Sequence, residues 1–259
     1  MLLQPKDYIM KKMTKSNNKI FILFFFITTF LNASPIVDIE TVRQSGEIGK
    51  FKNLEFSLTG SRGNEDRDDF DIGIALVDNS SSIEKLLVLE RSERTKDDVV
   101  EDEATFFHTR LLWQSEKKYD FEAYLQSSEN PFQSYKRRDL FGLGVRFSEL
   151  KNIILSLSFL HENEESLLGD EKSTDRANLY INRNINFEND SFLSGSMFFQ
   201  PSLEDFNEDY KYSISLSYNI PVSANFLIKF KISESFDNDP PDLAKKSDQL
   251  FSTSFNYSF

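Results

Sequence analysis

Two histidines, His108 and His161, are the side chains of this 259-residue chain best suited to acid–base chemistry. His161 lies in the run H-E-N-E-E, with Ser158 and Asn163 close by. A serine hydrolase needs a histidine base beside its nucleophile and an amide or carboxylate that orients the histidine. These three residues are only neighbours along one predicted strand, so the sequence establishes no triad geometry. We predict that the protein is not an enzyme and keep a lipid-directed barrel enzyme of the phospholipase kind as an alternative.

The acidic run E-R-S-E-R-T-K-D-D-V-V-E-D-E at 90–103 is a second candidate, because carboxylates can bind divalent cations. An EF-hand loop requires fixed carboxylate spacing around a central glycine, and this run contains no glycine. We interpret the run, and the stretch 93–103 in particular, as a solvated outer loop. A divalent cation there would bridge the loop to lipopolysaccharide phosphates.

Composition excludes several kinds of site and partner. The chain has no cysteine, which rules out disulfides and thiolate metal sites. Its formal charge of -12 argues against general nucleic-acid binding. We predict no cofactor, no metal and no nucleic-acid partner.

The N-terminal region has the features of an export signal. Four lysines between positions 11 and 19 precede the apolar stretch 20–31, and N-A-S-P follows. Twelve apolar residues are too few to span a membrane as a helix, so we predict a cleaved signal peptide over 1–34. The predicted organisation is then a periplasmic N-terminal segment over 35–50 and a transmembrane β-barrel over 51–259.

Strict alternation of apolar and polar residues recurs along the rest of the chain. The last nine residues, F-S-T-S-F-N-Y-S-F, place aromatic residues and threonine on one face and small polar residues on the other. Period two is the signature of a strand. Most such segments reach about ten residues, the length that a tilted strand needs to cross a bilayer. We predict twelve strands, at 51–61, 68–78, 81–92, 104–114, 119–128, 136–148, 152–162, 176–187, 191–200, 209–219, 223–235 and 249–259.

Short and long connections alternate between these strands, as in outer-membrane barrels. The predicted fold is all-β: a single closed antiparallel transmembrane β-barrel of about twelve strands, with both termini periplasmic and the long loops outside. The protein is then located in the cell outer membrane, and Phe259 presents its C-terminal signal to the barrel assembly machinery. A soluble periplasmic β-protein is the remaining alternative.

Charged side chains fall on the predicted inward faces, as expected because a charge facing lipid costs about 2–4 kcal/mol at the midplane. They either pair and plug the barrel or line a narrow water-filled path. Arg183 falls on the apolar side, which suggests a wrong register or a bulge there. The candidate lumen-lining residues are Glu55, Asp69, Asp71, His108, Arg110, Glu122, Arg138, Arg146, Lys229 and Lys231.

Several stretches resemble one known family. T-G-S-R-G-N-E-D at 59–66, the segment 126–147 with its Gly-x-Gly strand, and the proline-containing stretches 200–210 and 236–248 are similar, in order and spacing, to elements of the salt-induced outer-membrane proteins, the domain of unknown function 481. The motif His-Asp-Ser-Asn-Gly of the barrel phospholipases is absent.

The resemblance implies an outer-membrane barrel associated with salt response and supplies no catalytic residues. We expect a narrow channel for small ions or solutes, or an envelope-stabilising barrel linked to salt or osmotic conditions. Its expected partners are outer-membrane lipids and lipopolysaccharide.

Overall fold

The computed structural model describes residues 47–259 except 62–66, 97–98, 116–117, 132–134, 151–152 and 242–244. The predicted signal peptide over 1–34 and most of the predicted segment 35–50 lie outside the described residues. No helix among the described segments is long and apolar enough to cross a membrane.

Twelve antiparallel strands close into one barrel, as predicted, and each strand pairs with its neighbours along the chain. The first and last strands pair with each other, so no strand is left as an open edge. The strands are β1 Gly49–Ser61, β2 Arg67–Asn79, β3 Ile83–Lys96, β4 Val99–Trp113, β5 Tyr119–Asn130, β6 Tyr135–Leu150, β7 Ile153–Ser166, β8 Glu171–Asn186, β9 Phe192–Pro201, β10 Tyr210–Ser223, β11 Phe226–Asp237 and β12 Ser247–Ser258.

The prediction of a loop at 93–103 is wrong. Strands β3 and β4 contain the described residues of this stretch and pair as one hairpin, with a register shift between Arg94 and Thr95. Backbone pairing does not require apolar side chains: Arg94 faces Asp102 across the two strands, and Glu93 faces Glu103. The Arg91 guanidinium lies 2.9 Å from the Glu103 carboxylate. The alternating pattern therefore ends before the strands do.

An apolar belt covers the outer wall. Large apolar side chains at alternate positions remain exposed, such as Phe70 and Ile72 on β2 and Leu157 and Phe159 on β7. Aromatic pairs mark both ends of the belt: Tyr212 stacks on Phe236 near the long connections, and Phe187 contacts Tyr218 near the short ones. This arrangement is typical of a barrel that faces lipid.

The seam between β1 and β12 is short. Its described pairing joins Asn53–Phe56 to Phe255–Ser258, and the Phe259 amide donates to the Lys52 carbonyl. The Phe56 and Phe255 rings stack across it with centroids 5.5 Å apart. The described hydrogen bonds and ring stacking of the seam therefore lie at the C-terminal end of β12.

Arg183 faces outward, as the alternation predicts, and neither pairing of β8 shows a register shift. The bulge that would have turned it inward is absent from the described part of β8. Arg183 lies near the end of the strand and is exposed, with Gly195 directly opposite. A long side chain at the edge of the belt can carry its charge to water, so this position costs little.

The interior of the barrel is mainly polar. Near the short connections, Ala75, Val77, Leu86 and Val88 form an apolar cluster against the Phe51 and Phe106 rings. Most other buried positions are serine, asparagine, glutamine or charged residues. The buried polar side chains line the inside of the barrel, and the apolar surface faces out.

Gly142 lets a large ring cross the interior. A Cβ atom there would lie 2.0 Å from Cζ of the buried Tyr124. The Tyr124 hydroxyl lies 3.0 Å from that of Ser158, two strands away. Because any side chain at this position would collide with the ring, the glycine permits the Tyr124 hydrogen bonds.

We expect Gly142→Ala to destabilise the refolded barrel by about 1–3 kcal/mol, because the Tyr124 ring must move and lose its partner. The urea midpoint of unfolding measures this change. Gly195→Ala is the matched control, since the nearest atom to a Cβ there is Leu216 Cδ1 at 3.7 Å. Equal midpoints for the two variants would contradict the proposed role of the glycine.

Candidate functional site

The interior divides into a filled side and a solvent-accessible side. On the filled side, from β4 to β10, the inward side chains are almost completely buried; Arg138, Arg146 and Arg176 are each 1% exposed. Arginine is rarely buried unless it is paired. The filled side must therefore supply carboxylate partners.

Glu162 is the centre of the main ion-pair network. Its carboxylate accepts hydrogen bonds from Arg138 and Arg176, and Lys211 Nζ lies 2.9 Å away. Lys211 also reaches Glu164 at 3.0 Å. Strands β7 and β10, which carry Glu162 and Lys211, are separated by two others, so these side chains meet across the inside of the barrel.

A connecting segment covers this network near the long connections. Asp209, just before β10, accepts a hydrogen bond of 2.7 Å from Arg176, and Lys172 Nζ lies 2.8 Å from it. Burial alone would raise the pKa of Asp209, but the hydrogen bonds from Arg176 and Lys172 outweigh it and lower that pKa below its usual value. Because the shift is downward, Asp209 stabilises the fold above the ordinary aspartate range and loses this effect in acid.

A second polar layer crosses the middle of the filled side. Arg110 lies 3.4 Å from Glu122 and 5.2 Å from the Tyr124 ring centre, and Ser156 donates to Glu122. His108 is buried and stacks on the Tyr124 ring. These contacts fill the lumen over several strands.

On β11, β1, β2 and β3 a group of inner side chains is partly or largely exposed, although other inner residues of these strands, such as Val77 and Leu86, are buried. Glu90 faces inward, beside Gly73, yet is exposed. It lies within electrostatic range of Glu55, Asp71, Lys229 and Lys231. Lys229 Nζ lies 2.8 Å from the Glu55 carboxylate. This ion pair joins β11 to β1 across the intervening strand β12. This group of five, called the acid–lysine strip below, is the candidate site.

The sequence-derived candidates fall on both sides. Four of them, Glu55, Asp71, Lys229 and Lys231, belong to the acid–lysine strip. The filled side contains His108, Arg110, Glu122, Arg138 and Arg146, while Asp69 lies 3.5 Å from Arg94.

Sequence reasoning missed Glu90, Glu162, Arg176 and Lys211. Glu162 and Arg176 stood at predicted strand ends, next to a predicted loop. Applying the two-residue alternation to these end residues would have placed both on the inner face.

Ser158 and His161 do not meet. Ser158 is inside the barrel with Tyr124, whereas His161 is on the outer wall. The combination Ser158, His161 and Asn163 therefore forms no active site. Among the described residues, no group of three or more histidine, aspartate or glutamate side chains is arranged to hold a metal ion.

A family model described as "Protein of unknown function, DUF481" matches residues 54–259. No curated protein matches the chain. Similar solved structures include the NanC porin, which is 6% identical with a TM-score of 0.45 over 80% of this chain and 97% of that one. The KdgM porin is 9% identical, with a TM-score of 0.45 over 82% and 99%. The translocator domain of the autotransporter NalP from Neisseria meningitidis is 8% identical, with a TM-score of 0.48 over 85% and 91%.

Proposed function

The chain belongs to the DUF481 family of proteins of unknown function, and on that premise we propose that it is an outer-membrane barrel with a narrow path for small ions or solutes. The solvent exposure of Glu90 on the inner face is the observation that carries the proposal. The Glu90 carboxylate points inward and is accessible to water, whereas the interior on the filled side is packed with polar side chains. The proposed path therefore runs along the acid–lysine strip, to one side of the barrel axis. Charged side chains lining a constriction select ions by sign.

The outer wall supports placement in the outer membrane. Its apolar belt with aromatic ends matches the hydrocarbon layer and its two interfaces. In this proposal the signal peptide over 1–34 directs export, both termini are periplasmic, and Phe259, which is 65% exposed, is available to the barrel assembly machinery. Lipids and lipopolysaccharide surround the wall.

A second candidate function is stabilisation of the envelope under salt or osmotic stress. The buried network around Glu162 favours this second function. A filled barrel resists deformation, and a stabilising role does not require ions or solutes to pass through it. The association with salt response comes from the family resemblance. The two candidates differ in whether the solvent-accessible side conducts.

We expect the refolded mature chain, from residue 35 onward, to give small discrete current steps in planar bilayers. At mildly alkaline pH, where its carboxylates are ionised, the acid–lysine strip has three acids and two lysines, so a weak cation preference should appear as a reversal potential in asymmetric KCl. Heat-modifiable gel mobility checks that the barrel has folded. A folded, inserted barrel that stays silent would refute the channel and favour the stabilising role.

A further inference from the structure

A serine, a histidine and an aspartate meet on the outer wall of the barrel. His161 on β7 is in register with Asp175 on β8, and its Nδ1 lies 2.6 Å from the Asp175 Oδ1. On the other edge of the ring, Nε2 lies 3.4 Å from the Oγ of Ser173. Carboxylate, imidazole and hydroxyl in this order form the arrangement that activates a serine nucleophile.

These three residues, called the outer-wall triad below, lie at the edge of the apolar belt. Along the outer face of β7, Leu157 and Phe159 lead up to His161, and polar residues follow. Along β8, the outer face changes from apolar to polar at Asp175. Both strands change at one register level, so His161 and Asp175 occupy the first polar level above the belt and Ser173 the next one along β8. Acyl esters of membrane lipids lie at this depth, between hydrocarbon and headgroups.

The triad is open on the lipid-facing side. The His161 and Asp175 side chains are 44% and 47% exposed. Asn163 lies directly opposite Ser173 on the same outer face, so its amide is placed to donate to an oxygen near the serine. The Ser173–His161 separation is long for a hydrogen bond, and such bonds tighten when substrate binds.

We propose that the outer-wall triad hydrolyses carboxylic acyl esters of membrane lipids. Ser173 Oγ bonds to the ester carbonyl carbon while His161 Nε2 takes the hydroxyl proton. The carbon–oxygen bond to the alcohol breaks, and His161 gives that proton to the departing oxygen, which leaves an acyl ester on Ser173.

Water completes the reaction at the same carbon. His161 takes a proton from the attacking water, the bond to Ser173 breaks, and the proton returns to Ser173 Oγ. One ester and one water become one fatty acid and one alcohol. Asp175 is a positioning residue that holds Nδ1–H, and Asn163 donates to the carbonyl oxygen as negative charge develops.

The test uses the folded mature chain in micelles, with a fluorogenic acyl ester and with phosphatidylethanolamine vesicles as substrates. Ser173→Ala and His161→Gln should each lower hydrolysis by about 100-fold or more. Ser127→Ala is the matched control, because Ser127 donates to Asp139 on the same outer wall and, among the described residues, does not pair with a histidine. A fluorophosphonate probe should label Ser173, as mapped by mass spectrometry.

Asp175→Asn should lower kcat with little change in KM, and Asp175→Glu should restore part of it. Gel mobility on heating verifies folding of every variant. No hydrolysis by the folded wild type, or equal hydrolysis by Ser173→Ala, would overturn the proposal. Because the triad is outside the barrel, its loss should leave conductance unchanged, which separates this test from that of the channel.

Discussion

Replacing Glu162 by glutamine should destabilise the barrel by about 3–5 kcal/mol, because it leaves buried cations without their shared counter-charge. Arg138, Arg176 and Lys211 all bind this one carboxylate. Glutamine keeps the shape and removes the charge, so packing changes little. The urea midpoint of the refolded chain in lipid vesicles measures the loss.

A double-mutant cycle tests the cause. Arg138→Met in the Glu162→Gln background removes the cation whose other carboxylate, Glu164, lies 3.8 Å away, and should recover part of the lost stability. Glu165→Gln is the control, since Glu165 pairs with Lys136 at the exposed rim and should leave the midpoint unchanged. If Glu162→Gln unfolds at the midpoint of the wild type, the network is not a source of stability.

Reversing the charge of Glu90 should reverse the ion preference of the channel. Three acids and two lysines give the acid–lysine strip one net negative charge. In Glu90→Lys the strip has two acids and three lysines, hence one net positive charge. The reversal potential in asymmetric KCl should therefore change sign, most clearly at low ionic strength, where screening is weak.

The control places the same charge change outside the lumen. Glu188 lies in the turn between β8 and β9 and is exposed, so Glu188→Lys should keep the wild-type sign. Recording at mildly alkaline pH keeps the carboxylates ionised. If Glu90→Lys also keeps that sign, ions do not pass Glu90.

The two-residue alternation predicts the barrel because a lipid-facing wall imposes it on every strand. All twelve predicted segments are strands, and even the exception at Arg183 keeps its register. Beyond the membrane this constraint ends. Strands β3, β4, β7 and β8 therefore extend past their predicted ends, into 93–103 and 163–175, where most strand residues on both faces are polar.

The side-chain contacts inside the barrel and on its outer wall were harder to predict from the sequence. They depend on which strands bring their side chains together. Alternation can place Lys211 inside, but its contact with Glu162 crosses the barrel between strands that are not adjacent. The outer-wall triad depends on the register that sets His161 opposite Asp175. A shift of one residue would turn either partner to the opposite face.

The short seam gives the barrel a preferred order of opening. Described pairing of β1 with β12 ends at Phe56 and Phe255, whereas β11 pairs with β12 from Phe226 to Phe236. Hydrogen exchange tests this order for the β12 amides between Leu250 and Ser254. Those that point toward β1 should exchange faster than those that point toward β11. The wall would then unzip from the long connections toward Phe259, and closing this seam would be the final step of assembly.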